Sequence, residues 1–183
     1  MREPGSTYVV YGDFNCPYSR LASARLAVLE DRGEPVEFRA VEHDPAIPGE
    51  GIRVVGEVEE ELQRELAQIR GMLGPDERDP LQIPARRLNT RRAIEAYAAV
   101  PAGLRPEGRE RIFQAYWEGD QDISDPAVLA DLEVDGSDPE TAARWREEWE
   151  ALPEIVPVMV LPDGTVSKGL GALVRLGKLA GLA

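Results

Sequence analysis

A chain of 183 residues with 21 Lys and Arg against 34 Asp and Glu carries a net charge of −13, which excludes a general nucleic-acid surface, since such surfaces need basic patches to meet phosphates. The length suits one domain, or one domain with a sizeable insertion, and is ample for a core that needs neither disulfide nor metal staples. The single cysteine, Cys16, leaves no intrachain disulfide to form, which agrees with a reducing compartment; with no apolar h-region at the N-terminus and no run long enough to span a membrane, the expectation is a cytoplasmic protein with no membrane partner.

Residues 7–13 alternate and are rich in Tyr and Val, so they read as a strand. Cys16 follows where that strand hands over to a helix, and Pro17 falls at the first helical turn, where its missing N–H costs nothing. Apolar residues at Leu21, Ala24, Leu26 and Leu29 carry the helix to about Arg32, with Gly33 as its stop. Val36 to Val41 alternates again and ends at His43-Asp44-Pro45. The helical crossover between these two strands predicts that they pair in parallel.

A loop marked by Pro45, Pro48, Gly49 and Gly51 leads to a helical pattern at Val58, Leu62, Leu66, Ile69 and Leu73. Gly74-Pro75 stops it. Asn89 or Thr90 caps a helix with Ala93, Ile94, Tyr97 and Val100, and Pro106 opens another with Ile112, Phe113, Tyr116 and Trp117. Asp125-Pro126 is an N-cap followed by an N1 proline. The stretch from about 54 to 133 thus reads as helical hairpins with no strand candidate. Asp138-Pro139-Glu140 caps one more helix, whose Ala143, Trp145 and Trp149 are expected to face a core. The period then changes: Ile155 to Leu161 is β-rich, Pro162-Asp163-Gly164-Thr165 is a turn, Val166 starts a partner strand, and residues 171–182 form a terminal helix.

Cys16 is the candidate reactive centre. A thiol at a helix N-terminus meets unpaired N–H groups and the positive end of the macrodipole, both of which favour a thiolate, so its pKa is expected to fall, into the range of about 3.5–7.5 seen at such positions. The competing reading is an inert half-buried cysteine, but an N-cap before proline is not a usual core position. His43 is the only histidine; it reads as the surface end of the second strand, so a Cys–His dyad needs the fold to bring the two together. No His/Cys cluster has metal spacing and no Gly-rich phosphate loop is present. Trp117, Trp145 and Trp149 read as core or as the lining of a groove.

Four places in order along the chain resemble the DsbA-like branch of the thioredoxin superfamily: Asp13-Phe14-Asn15-Cys16-Pro17-Tyr18 at the strand-to-helix junction, Asn89-Thr90 with Ala93, Phe113-Gln114-Ala115-Tyr116-Trp117 through Asp122-Ile123-Ser124-Asp125, and Val156-Pro157 before the third strand. The resemblance implies an α/β thioredoxin-like fold with an all-helical insertion, divided as 7–48 plus 138–183 for the thioredoxin-like part and 52–134 for the insert. It implies Cys16 and Ser19 as catalytic residues, with Pro17, Tyr18, Arg20, Val156 and Pro157 binding substrate. Val156-Pro157 is then a cis bond facing the thiol, and Val156 offers its backbone to an extended substrate. Arg20 adds a positive charge that favours the thiolate and attracts a carboxylate.

Ser19 stands where dithiol relatives carry their second cysteine. A hydroxyl cannot attack a mixed disulfide, so an external small thiol such as glutathione is needed as co-substrate to release the product. The motif is also similar to the Ser-Pro-Tyr-Ser of hydroxychromene carboxylate isomerases and kappa-class glutathione transferases, where the first serine activates the thiol of bound glutathione. The expected partners are a disulfide-containing protein or a small thiol, with no nucleic acid, no metal, no bound cofactor and a monomeric or homodimeric chain. A non-catalytic binding protein of the same fold is the third reading.

Overall fold

The computed structural model describes residues 7–79 and 81–182. Strand β1 is Tyr8–Gly12, helix α1 is Pro17–Asp31 and strand β2 is Val36–Ala40. β2 runs parallel to β1, with Tyr8 opposite Val36 and Gly12 opposite Ala40. The direction follows from the connection, because α1 carries the chain back along the sheet before β2 begins. Gly33, just past α1, takes a φ of +73°, a left-handed conformation that glycine adopts without the penalty of a Cβ.

On its other side β1 receives β5, Val158–Val160, in antiparallel register, and β6, Val166–Lys168, pairs antiparallel with β5. The sheet order is β2-β1-β5-β6. Helix α7, Gly169–Ala180, starts directly after β6, two residues ahead of the predicted start, and packs along α1. With α7 against it, and further helices on its remaining faces, α1 is enclosed nearly all round.

The α-helices between β2 and β5 are α2 (Glu57–Arg70), α3 (Arg91–Ala99), α4 (Arg105–Trp117), α5 (Pro126–Asp131) and α6 (Pro139–Glu150), of which α2 and α4 pack on α1. Their starts follow local chemistry: the Asp125 carboxylate accepts from the Ala127 amide at 2.8 Å, and that of Asp138 from Thr141 at 3.0 Å. At α3 the bond comes from Asn89, whose Oδ1 accepts from the Arg91 amide at 3.1 Å, while Thr90 occupies the cap position without a side-chain bond. On α6 the buried face is Thr141, Trp145 and Trp149 at helical spacing. Ala143, expected on that face, is exposed, because it lies on the opposite side of the helix from Trp145.

The stretch from 54 to 133 is not purely helical. Ile52–Arg53 (β3) and Arg86–Arg87 (β4) form a short antiparallel ladder. Two residues per strand carry no alternation that a sequence can display, so this pairing is legible only in three dimensions.

One aromatic cluster joins the sheet to the helices. Phe14 and Phe38 pack against Tyr97 of α3 and Phe113 of α4, with ring centroids 4.9 to 6.3 Å apart and mostly edge to face, geometries that add to simple area burial. The Tyr97 hydroxyl donates to the Phe38 carbonyl at 3.1 Å, which satisfies the one polar atom of an otherwise buried ring.

Candidate active site

Cys16 is the N-cap of α1, in extended conformation with φ −97° and ψ 120°, and Pro17 is the first helical residue. The turn ahead of it is tied to the helical segment twice. Trp117 Nε1 donates to the Phe14 carbonyl at 2.9 Å, and Asn15 Nδ2 donates to the Leu88 carbonyl at 2.8 Å. Within the turn the Cys16 amide donates to the Asp13 carbonyl at 3.1 Å. The position of the thiol is therefore set by both halves of the chain.

Across from the thiol lies Val156-Pro157, joined by a cis peptide bond. Cys16 Sγ is 3.9 Å from the Val156 carbonyl oxygen. Trp149 Nε1 donates to the Ile155 carbonyl at 3.0 Å, and the Gly169 amide donates to the Pro157 carbonyl at 2.8 Å, so this loop is held at both ends. The fold thus brings together Cys16, Pro17, Val156 and Pro157.

Ser19 is fully buried one turn along α1. Its Oγ accepts the Asp13 amide at 3.1 Å, and its hydroxyl and amide both favour an ionised Cys16. Space here is tight: a Cβ at Gly12 would come within 2.8 Å of the Phe38 ring and 3.0 Å of Ser19 Oγ. Tyr18 stands at the rim, its hydroxyl donating to Gln68 Oε1 of α2 at 2.6 Å.

Arg20 does not join them. Its guanidinium is buried, donates to Glu110 at 2.6 and 2.9 Å and to Glu118 at 3.0 Å, and lies over the Phe113 ring. The charges it meets are Glu110, in the middle of α4, and Glu118, the residue just beyond it, so the cation is neutralised within the fold rather than offered to a substrate carboxylate.

The ionisation of Cys16 also departs from the sequence expectation. The side chain is only 6 % exposed. Burial pushes the thiol up to about 11; the Ser19 donors act the other way, and Asp13 and Glu65 push it further up. Desolvation and two carboxylates outweigh two hydrogen-bond donors at the helix end. In this closed geometry Cys16 is a protonated thiol at neutral pH.

Sequence reasoning assigned no role to Asp13 and left His43 at the surface. Asp13 is fully buried, and its Oδ2 accepts both the His43 amide at 2.9 Å and His43 Nδ1 at 2.7 Å. Its Oδ1 has no hydrogen-bond partner among the described residues. The His43 side chain remains 34 % exposed. Burial alone would lower its pKa, but the hydrogen bond and charge of Asp13 outweigh that and raise it. The signal was the parallel pairing: in a strand–helix–strand unit the carboxyl ends of neighbouring strands emerge side by side, which is where open α/β sheets place ligands. Glu65 of α2 and Arg87 of β4 complete the charged surroundings, 3.6 Å apart. Among the described residues no group of three or more His, Cys, Asp and Glu side chains is placed to hold a metal, and no helix is long and apolar enough to cross a membrane.

A family model for the DSBA-like thioredoxin domain matches residues 7–148. The chain belongs to that family. Solved structures of the same fold include a 2-hydroxychromene-2-carboxylate isomerase, 21% identical over 96% of this chain and 94% of that one, with a TM-score of 0.66. A probable DsbA oxidoreductase from Streptomyces coelicolor is 15% identical over 95% of this chain and 88% of the other, with a TM-score of 0.68. The cytosolic disulfide reductase DsbM from Pseudomonas aeruginosa, solved with GSH, is 19% identical over 96% of each chain, with a TM-score of 0.63. A comparison with curated proteins finds no match. The DsbA-like domain of this chain therefore shares its fold with both disulfide oxidoreductases and an isomerase.

Proposed function

We propose that this DsbA-like protein catalyses thiol–disulfide exchange through Cys16 alone, with a small external thiol such as glutathione completing the reaction. The observation that carries the reading is Cys16 Sγ at the N-cap of α1, 3.9 Å from the carbonyl of Val156 beside the cis proline. A substrate strand laid along Val156 would bring its disulfide to that sulfur. The Cys16 thiol gives up its proton, its thiolate attacks one sulfur of R–S–S–R′, and R′–S⁻ leaves and takes up a proton. The external thiolate then attacks the R sulfur of the mixed disulfide, so Cys16 returns as a thiolate and the R group leaves on the small thiol. Ser19 contributes hydrogen bonds to the sulfur but no second attack. Pro17 and Tyr18 form the rim on the helix side, and the helical insert, 52–134, forms the facing wall. The reading places the protein in a reducing compartment such as the cytoplasm, where a thiol co-substrate is abundant.

A glutathione-dependent isomerase is the second reading. It draws on one observation: burial keeps Cys16 protonated, and an S–H that stays a donor can hydrogen-bond the thiolate of a bound glutathione instead of attacking a disulfide. One experiment separates the two. Purified protein is incubated with glutathione disulfide and analysed by intact-mass spectrometry, alongside glutathione binding by calorimetry to the Cys16→Ser variant. Exchange predicts a glutathione adduct on Cys16 that free glutathione removes. Absence of the adduct, together with binding that survives Cys16→Ser, would replace it with the isomerase reading.

A further inference from the structure

The least explained charge in the molecule is the Asp13 carboxylate. It is fully buried three residues before the thiol, and its backbone is bonded on both sides to the site, through its carbonyl to the Cys16 amide and through its amide to Ser19 Oγ. A buried carboxylate is tolerated when it is paired. The described structure offers one ionisable partner, His43, bound to Oδ2 by ring nitrogen and amide together, and leaves Oδ1 unpartnered. His43 reaches solvent with its remaining surface, at 34 % exposure. A proton arriving from solvent on this imidazole therefore changes the net charge of the Asp13–His43 pair, whose Asp13 member acts electrostatically on Cys16.

We propose that Asp13 and His43 are positioning residues for Cys16: as an imidazolium, His43 offsets the buried charge of Asp13 and eases the ionisation of the neighbouring thiol, whereas as a neutral ring it leaves that charge to oppose it. The proposal rests on the reading of Cys16 as a nucleophile. The pair moves no electrons and forms no covalent bond. Its effect is on the first step, in which Cys16 S–H releases a proton to solvent base and the thiolate attacks the disulfide sulfur. The directions agree with the surroundings: Asp13 and Glu65 both push the thiol up, and Asp13 raises His43. Every charged group facing the imidazole enters this balance. Asp13 from the β1–α1 turn and Asp44 beside it stabilise the imidazolium, Arg87 of β4 opposes it, and Glu65 of α2 interacts with both His43 and Cys16.

The two residues have opposite electrostatic signs, so replacing each without its charge must move the thiol in opposite directions. A packing role would move both the same way. The probe is methyl methanethiosulfonate, a small disulfide-like reagent, with labelling of Cys16 followed by intact-mass spectrometry from pH 5 to 9. At pH 6, Asp13→Asn is expected to label faster than the parent and His43→Gln more slowly, each by at least about threefold, or half a pKa unit. The pH profile of His43→Gln is expected to lose the inflection at which the imidazole titrates, and the double variant is expected to behave as Asp13→Asn. Acceleration of both single variants, or a His43→Gln profile that overlies the parent, would overturn the proposal. Should Asp13→Asn fail to fold, the parent still decides. His43 is the only histidine, so its ring proton gives one NMR titration, whose midpoint must lie above about 6.5; a midpoint at or below that value overturns the pairing. Labelling needs no turnover, so a parent that labels but does not exchange glutathione disulfide defeats the functional reading and leaves this one standing.

Discussion

At the scale of single residues the site is defined by a conflict at Cys16. Its place at the N-cap favours a thiolate, while burial, Asp13 and Glu65 favour the thiol, and the second group wins, with the thiol pushed up to about 11. Two consequences can be measured. Labelling of the free protein is expected to be slow at pH 7, at a thiolate fraction on the order of a hundredfold below that of an ordinary cysteine, and, once the imidazole has titrated, to climb about tenfold per pH unit until about 11. An alkylation rate at pH 7 matching a free thiol would contradict this. Stability follows the same group. Because the folded value lies above the unfolded one, the contribution is complete below about pH 8.5 and is lost as pH rises toward about 11. Urea midpoints at pH 8 and 10.5 should fall less in Cys16→Ala than in the parent. The places of Cys16 as cap and Pro17 as first residue of α1 were legible from local spacing, since capping depends on neighbours in sequence. The ionisation was not, because solvent exposure and the nearness of Glu65 depend on segments far along the chain.

At the scale of elements, α1 is the member on which the others are assembled, and its buried polar side chains are the joints. Arg20 ties it to α4 and its end through Glu110 and Glu118. Arg25 donates to the Glu77 carboxylate at 2.8 Å, to the Met72 carbonyl at 2.8 Å and to the Leu173 carbonyl at 2.7 Å, which links α1 to the loop after α2 and to α7. Arg109 of α4 returns the favour, bonded to Ser23 and Glu30 of α1. Removing one member of such a buried pair leaves the other uncompensated. Arg109→Ala is therefore expected to cost roughly 3–5 kcal/mol in chemical denaturation, while leaving the rate at which Cys16 labels in the folded protein unchanged within a factor of about two, since Arg109 lies outside the thiol's immediate surroundings. A loss under about 1 kcal/mol would mean that the pair is solvated after all. The helices and their caps were legible, as Asp125 and Asp138 illustrate, because a cap is a contact across two or three residues. The destination of Arg20 was not. A cation one turn after the thiol reads as part of the site, and only the packing of α4 against α1 shows that its partners are Glu110 and Glu118.

At the scale of the whole molecule, an excess of acid is held together by arginine pairs that fail at low pH. Glu77 illustrates the sign. Burial alone would raise its pKa, but hydrogen bonds from Arg25 and the Gly74 amide lower it below the ordinary carboxylate. Glu110 is likewise lowered, burial being outweighed by Arg20. A lowered folded value gives stability that is present above about pH 4.3 and is lost as pH falls through the folded value. Thermal melting is therefore expected to drop below about pH 4, and Glu77→Gln is expected to start lower at pH 7 but fall less on acidification. An identical acid slope in the two proteins would remove Glu77 from this account. What the sequence determined by itself is whatever local chemistry controls: the strand–helix–strand order, the capped helices, the proline ahead of β5 and the missing second thiol at Ser19. The tertiary structure alone decided the rest. Parallel strands set Asp13 beside His43, the packing of α2 and β4 brought Glu65 and Arg87 to the same rim, and α4 removed Arg20 from it. The reason is that charge and solvation act through space, so the ionisation of Cys16 belongs to the assembled surroundings and not to its motif.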